Sequence, residues 1–481
     1  MLKFFSTPVL SLYLCAFSSA TEIITLGDLL TFAYESEFGF QTPDLPGVDS
    51  IGDGFDPDEV KNWVEILGQE RAEYFDLGDR EEIAIPLFFS EIEFFFRQEN
   101  NWAIPGLTIP QLRSFITGEA GFLELLTENS EFEPFVQLLA LTNFTPSDFA
   151  LADLESQIQN SSGRLVFFIG GNDIDAIYSN IYDGGDPGTF MSDYLADATA
   201  ILGRVIELNP NLPIVLVNVP HVGITPNVKA RRPTDAIGTP RATAFISDLN
   251  RQLAQLATDL DIGYADIFTP TLSLLVDENP FSVYGVPFLN EGVLSSAPNV
   301  PDFVWLDGEL AQNFHPNTCA QALIANEIIC AFNHRYQTAI PILTPSEILV
   351  DVLGRTPAEV DMDFDNWANS YSLVNATPTD DGDADQIPAA LEFALGLNPL
   401  FDDSHKLAFQ TDESSLQITY PVRLPSSSHV TLLPQSSDSL EPPFSPLTPI
   451  PTRDADNLVR AQLPITDDRG FLRLNATIPN D

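Results

Sequence analysis

Between Glu22 and Tyr336 the chain alternates short apolar runs with longer amphipathic stretches, and this alternation constrains its fold most. Ile23–Leu26, Leu165–Ile169, Ile214–Val219 and Gly263–Ala265 read as strands, with a poorly defined one ending near Asn101. Pro57–Gly68, Pro146–Gln159, Thr189–Leu208, Arg241–Leu260 and Thr318–Tyr336 read as helices, with Thr145 as a candidate N-cap. Strand–helix alternation of this kind predicts a parallel sheet covered by helices on both faces, a three-layer α/β/α domain over residues 21–340. Sites in such sheets collect at the carboxyl ends of the strands.

The 481 residues include 69 acidic and 21 basic side chains, a net charge of −48. Nucleic-acid phosphates demand Lys and Arg, so this balance argues against a nucleic-acid partner. It argues equally against docking on anionic membranes. The charge reads as a solvated acidic surface. Residues 1–20 read as a secretory signal: Lys3 supplies the charge, Pro8–Phe17 the apolar stretch, and Ser18-Ser19-Ala20 the small residues for cleavage. A membrane-spanning helix takes about 20 apolar residues, and no stretch reaches that. The mature protein is therefore expected to be exported, to the exterior, the periplasm or the cell surface. Oligomeric state is not legible. Cys319 and Cys330 remain after the signal; on one helix they would lie roughly 16 Å apart, beyond disulfide reach, and two buried thiols are expected.

Four short stretches fall at the ends of the predicted elements. They are Gly27-Asp28-Leu29-Leu30, Asn101-Trp102-Ala103-Ile104-Pro105-Gly106, Gly170-Gly171-Asn172-Asp173, and Asn313-Phe314-His315-Pro316-Asn317. In order and spacing they resemble the SGNH (GDSL-type) hydrolases. The resemblance implies a flavodoxin-like sheet and hydrolysis of a small-molecule ester, or of an acylated glycan or lipid, without a cofactor for catalysis. It implies Gly106 and Asn172 as oxyanion donors, His315 as the base, and Gly27, Asp28 and Asp173 as supports. In that chemistry a Ser hydroxyl attacks the carbonyl, His takes its proton, and N–H groups hold the oxyanion.

Two positions depart from the family pattern. The nucleophile slot holds Leu29, which has no heteroatom. The slot for the Asp that orients the base holds Gln312, which can fix a ring but cannot stabilise an imidazolium as a carboxylate does. Asp307, eight residues before His315, is a possible substitute. Thr31 reads as a capping hydroxyl and His221 as a polar residue on the rim of the site. Three readings stay open: an impaired scaffold that still binds its ligand, a working esterase with a relocated nucleophile or a misread codon 29, and a surface protein with a vestigial pocket.

Asp76–Glu99 and Leu272–Trp305 read as insertions, more in keeping with ordinary packing than with a pocket roof. Residues 341–378 read as a helical connector with a break near Thr356-Pro357, and 379–481 as a small, mostly β module. That module resembles a tail found on exported proteins of environmental bacteria, through Leu391-Glu392-Phe393-Ala394-Leu395-Gly396-Leu397-Asn398-Pro399. Asp381, Asp383 and Asp385 before it form a candidate Ca²⁺ cluster, the alternative being a solvated acidic turn.

Overall fold

The computed structural model describes residues 20–35, 53–87, 90–121, 124–125, 150–275, 281–284, 286–309, 311–356, 360–371, 373, 375–397, 399–400, 402, 404–411, 415–421, 429–437, 443–447, 458–464 and 471–478. Residues 1–19 of the expected signal 1–20, Thr145 with Pro146, and Asn398 lie outside them.

β1 (Ile23–Gly27) leads to α1 (Trp63–Glu70), the hairpin β2 (Arg80–Leu87) and β3 (Ser90–Gln98), α2 (Ile109–Ile116) and α3 (Leu151–Asn160). Next come β4 (Arg164–Phe168), α4 (Gly171–Tyr182), α5 (Phe190–Leu208), β5 (Ile214–Val217), α6 (Gly238–Asp259) and β6 (Gly263–Ala265). The main sheet runs β1-β4-β5-β6, all parallel. On the free side of β1, Thr25 makes a parallel bridge to Asn101. The faint second strand is thus a single bridge, and its place gives the flavodoxin-like order in which the first strand lies between the second and the third.

Alternation within each strand makes the layers. Ile24, Leu26, Leu165, Phe167, Ile214 and Leu216 pack on the side of α2 to α6. Ile23, Val166, Phe168, Val215 and Val217 pack on the opposite side, against α1 and a later helix. A strand buried on both faces is apolar at nearly every position, which is why these runs read so clearly. The exception in β1, Thr25, bonds Asn101.

A second sheet, β10-β9-β8-β7, follows. It comprises β7 (Phe281–Val283), β8 (Val286–Val293), β9 (Phe303–Leu306) and β10 (His315–Pro316), and it feeds α7 (Thr318–Tyr336). Arg71 holds Glu347 through two 2.9 Å bonds, and Ile348, Leu349, Val352 and Val360 pack into the first domain's core. The later part of the connector, α8 (Phe364–Ser370), packs instead on α9 (Ala389–Leu395) through Trp367 and Phe393. The tail has two three-stranded antiparallel sheets. Ile418, Tyr420, Val459 and Ala461 of one share a core with Leu397 and Leu447, against which Leu432 and Leu474 of the other pack.

Four expectations need correction. α3 starts at Leu151 rather than Pro146, since Ala150 just before it is extended backbone. α1 starts at Trp63 rather than Pro57, because Asn62 accepts from the Val64 and Glu65 N–H groups while Glu65 returns a bond to the Asn62 N–H. α6 starts at Gly238 rather than Arg241, since Asp235 accepts from the Ile237 and Gly238 N–H groups just ahead of it. Cys319 is buried but Cys330 is exposed. Cys319 lies under β9, its Sγ 3.5 Å from the Phe303 carbonyl; three turns on, the same stripe has run past that strand.

Candidate functional site

The four motif stretches meet at the carboxyl ends of β1 and β4. The two strands pair in register, with Gly27 opposite Phe168. A Cβ on Gly27 would come within 2.3 Å of the Phe168 carbonyl, so only Gly lets the turn leave the sheet here. The turn is closed by the Leu30 N–H on Asp28 Oδ1 at 3.1 Å and by the Thr31 and Phe32 N–H groups on the Asp28 carbonyl. Buried Asn101 clamps it from the side, donating to the Thr31 carbonyl and accepting from Thr25 Oγ1.

Asp28 also faces the Gly170 and Gly171 N–H groups at the start of α4. Burial pushes its pKa up to about 7, against the pull of these backbone donors. Asp173 behaves alike: burial raises it to about 7, and the Asp28 charge adds to this. Its carboxylate takes the Ile109 N–H at 3.2 Å. The half-buried Asn172 donates one amide N–H to the Leu107 carbonyl at 3.1 Å. The second and third stretches are therefore bonded to each other beside Gly106. Gly106 adopts φ +68°, and among the described residues its N–H has no partner.

His315 is presented by β10, opposite Leu306 of β9. Tyr34, at the end of the first turn, donates to the Pro316 carbonyl at 2.9 Å, tying the first and fourth stretches. His315 Nδ1 lies 2.8 Å from the Ala311 carbonyl. A carbonyl only accepts, so Nδ1 carries the proton and Nε2 is the basic nitrogen. Burial holds the imidazole down to about 4, so it is neutral at physiological pH. Ala311 O thus makes the Nδ1 contact that was expected of a carboxylate. Gln312 and Asn313 are left-handed, with φ of 51° and 57°. Gln312 points away, its amide on the Glu309 carbonyl, and Asp307 donates its backbone N–H to Val293 O.

Leu29 is buried, in an apolar cluster with Tyr34, Phe55, Val293, Leu306 and Ala311. Thr31 donates to the Phe168 carbonyl at 3.4 Å and is fully buried. Its hydroxyl is structural. His221, expected on the rim, is fully buried. It lies after β5 as the sequence implies, but Tyr178 of α4, Thr243 of α6 and Phe268 close around its ring.

Beside these residues opens a cavity of about 220 Å³. Leu30, Gly171, Phe314 and Pro316 line its near end; α7 and the segment 267–274 form opposite walls. Sequence reading missed it, because its lining comes from eight separated segments of the chain.

No protein-family profile matches the sequence, and no curated protein sequence does. Solved structures overlap it loosely. The extracellular lipase of Streptomyces rimosus is 13% identical, covering 66% of this chain and 100% of its own, at a TM-score of 0.30. A carbohydrate esterase family 3 protein from Talaromyces cellulolyticus is 12% identical over 66% and 100%, at 0.29. Phospholipase A1 from Streptomyces albidoflavus is 14% identical over 66% and 100%, also at 0.29. Among the described residues no helix is long and apolar enough to cross a membrane.

Proposed function

We propose that residues 21–340 are an exported SGNH-type acyl-hydrolase scaffold that has lost ester cleavage and kept ligand binding. One observation carries this. Asp28, Asn172 and His315 each keep a hydrogen bond that would hold them in such a site, while the expected attacking position is a Leu packed into the apolar cluster. Gly106 N–H and the second N–H of Asn172 would hold the carbonyl oxygen of an ester, or of an acylated glycan or lipid. A working site with a relocated nucleophile is less well supported, since the hydroxyl of Thr31, two residues on, is committed to the Phe168 carbonyl. The test is turnover of short p-nitrophenyl esters and labelling by a Ser-directed phosphonate. Both should stay at background, because losing a Ser nucleophile costs roughly a million-fold in turnover. Robust hydrolysis abolished by His315→Ala would overturn the reading.

For the tail we propose a Ca²⁺ site. Oxygens of Asp381, Asp383 and Asp385 lie within 4.8 Å of one another. Asp383 Oδ2 is buried with no hydrogen-bond partner among the described residues. An all-carboxylate donor set suits a hard cation. Calcium should raise the melting temperature of the full chain where magnesium at matched ionic strength does not, and Asp383→Ala should remove the difference. Equal melting in both salts would leave a solvated turn.

A further inference from the structure

The end of the cavity away from the motif stretches carries a charge. α7 lines the cavity with Ala320, Leu323, Ile324 and Glu327, which their i, i+3, i+4, i+7 spacing sets on one helix face. Ala320 lies in the first turn of α7, next to the near end at Pro316. Glu327 lies two turns on, about 10 Å along the axis. Ile224, Leu274, Phe281 and Trp305 make the surface largely apolar. Thr225 Oγ1 donates to Val222, Thr271 Oγ1 to Ile267 and Trp305 Nε1 to Asn290, so these polar groups are satisfied. His221 is fully buried and offers the cavity no polar atom.

Glu327 and Tyr284 are different. Both are only half-buried, and they act on each other electrostatically. Glu327 makes no side-chain hydrogen bond or ion pair among the described residues. Burial raises its pKa and the Asp266 charge raises it further, with no cation pulling the other way. Asp266 is itself held by Asn218 and by the Phe268 and Thr269 N–H groups, not by a cation. Asn326 donates to Tyr284 Oη at 3.4 Å, which leaves that hydroxyl its proton and one lone pair. The sequence shows why no cation is at hand. Between Arg251 and Arg335 the chain has ten acidic residues and no Lys or Arg, and this stretch supplies most of the lining. Lys229 is outside the lining, its ammonium on the Leu274 carbonyl at 2.8 Å. A carboxylate drawn partly out of water without a partner costs free energy that a bound cation recovers. An anion would add repulsion there, and an apolar terminus would leave the cost in place.

We propose that this cavity binds an aliphatic chain that ends in an ammonium, the cation donating to Glu327 beside the Tyr284 hydroxyl. The proposal rests on the reading of the domain as a ligand-binding scaffold, and it names the ligand's chemistry. The chain would lie along α7, opposite the segment 267–274, with its other end at Gly171 and Phe314, beside the proposed oxyanion donors. Burial of its methylenes supplies affinity, and the carboxylate selects the head. In size the cavity exceeds the ~150 Å³ apolar one that admits benzene.

The experiment titrates the full chain by calorimetry with 1-octylamine, an ammonium at pH 7, and with 1-octanol and octanoate. Salt at 0.15 M screens the exposed acidic surface. Octylammonium should bind saturably, one per chain, roughly ten-fold or more tighter than octanol, the worth of one hydrogen bond to a charged group. Octanoate should bind more weakly than octanol. Glu327→Gln keeps the shape and removes the charge; it should bring octylammonium down to the affinity of octanol and leave octanol within about two-fold. Leu323→Trp, which fills the cavity, should abolish binding of both. Octanol binding as tightly as octylammonium would overturn the proposal, and so would a preference for the ammonium that survives Glu327→Gln, since the cation would then be drawn by the surface charge. If Leu323→Trp does not fold, the comparison with Glu327→Gln decides alone. Esterase turnover is read separately. Failure of the ammonium preference leaves the loss-of-cleavage reading standing, and esterase activity would remove that reading without touching the result at Glu327.

Discussion

Leu29 fills space that a Ser would leave empty. Its side chain shares an apolar cluster with Tyr34 and Ala311, so it joins the first turn to the loop that carries His315. Leu29→Ser is therefore expected to act on two quantities. It should destabilise the protein by about 2–4 kcal/mol, as other large-to-small changes in an apolar cluster do, and Leu29→Ala should cost a similar amount. Only the Ser variant should gain p-nitrophenyl esterase activity, because His315 Nε2 is already the basic nitrogen and Asn172 is already in place. Urea midpoints and initial rates on both variants separate the effects. Equal rates for Ser and Ala would mean that the turn no longer aims position 29 at an ester. Adding Gln312→Asp should help little. Gln312 is exposed, bonded to Glu309 O, and His315 Nδ1 already has the Ala311 carbonyl. A sequence comparison could not find that partner, because a backbone carbonyl leaves no mark in the residue code.

At the scale of elements, α1 shows how a helix far from the chemistry holds the site loop. Asn62 caps α1 and also donates to the Phe32 carbonyl at 2.6 Å. Glu65, three residues on, takes the N–H groups of Asn62, Tyr34 and Glu35. Asn62→Ala should therefore cost more than the ~1 kcal/mol of a typical N-cap, about 2 kcal/mol, since a second buried bond is lost with it. Amide exchange at Tyr34 and Glu35 should rise; exchange unchanged there would separate the cap from the loop. The sequence carried part of this. β1, β4, β5 and β6 were legible because strands buried on both faces are apolar at nearly every position, and α7 was legible to the residue. The start of α1 was not, since Pro57 offers a stronger local start signal than the reciprocal Asn62–Glu65 pair that wins. The second strand reduces to one bridge at Asn101, too short for any periodicity. His221 was placed correctly along the chain and wrongly in depth, because strand position gives the end of the sheet and not which helices close over it.

Over the whole molecule, buried ionisable groups set a pH dependence that the −48 net charge reinforces. Asp28, Glu65 and Asp173 all have pKa values raised by burial to about 7. A carboxyl raised in the folded state binds protons there that the unfolded chain has released. Its contribution is fully present below the ordinary carboxylate range and is lost as pH rises through about 7. His221 and His315 have the opposite displacement, down to about 4. Their contribution is full above the ordinary imidazole value near 6.5 and is lost as pH falls toward 4. The two sets oppose each other between about pH 4 and 6.5, and above that only the carboxyls act. Between pH 6.5 and 8 the protein should lose stability, by about 2 kcal/mol for the three groups together, and added alkali strengthens surface repulsion in the same direction. Differential scanning calorimetry at pH 6.5 and 8.0, in 0.15 M salt to screen exposed charges, measures this. The melting temperature should be lower at pH 8.0. Asp28→Asn keeps the acceptor on the Leu30 N–H and cannot ionise, so it should flatten the difference by about a third. A melting temperature independent of pH in that window would mean that water reaches these carboxylates, and that the turn around Leu29 is looser than the hydrogen bonds joining it to α2 and α4 imply.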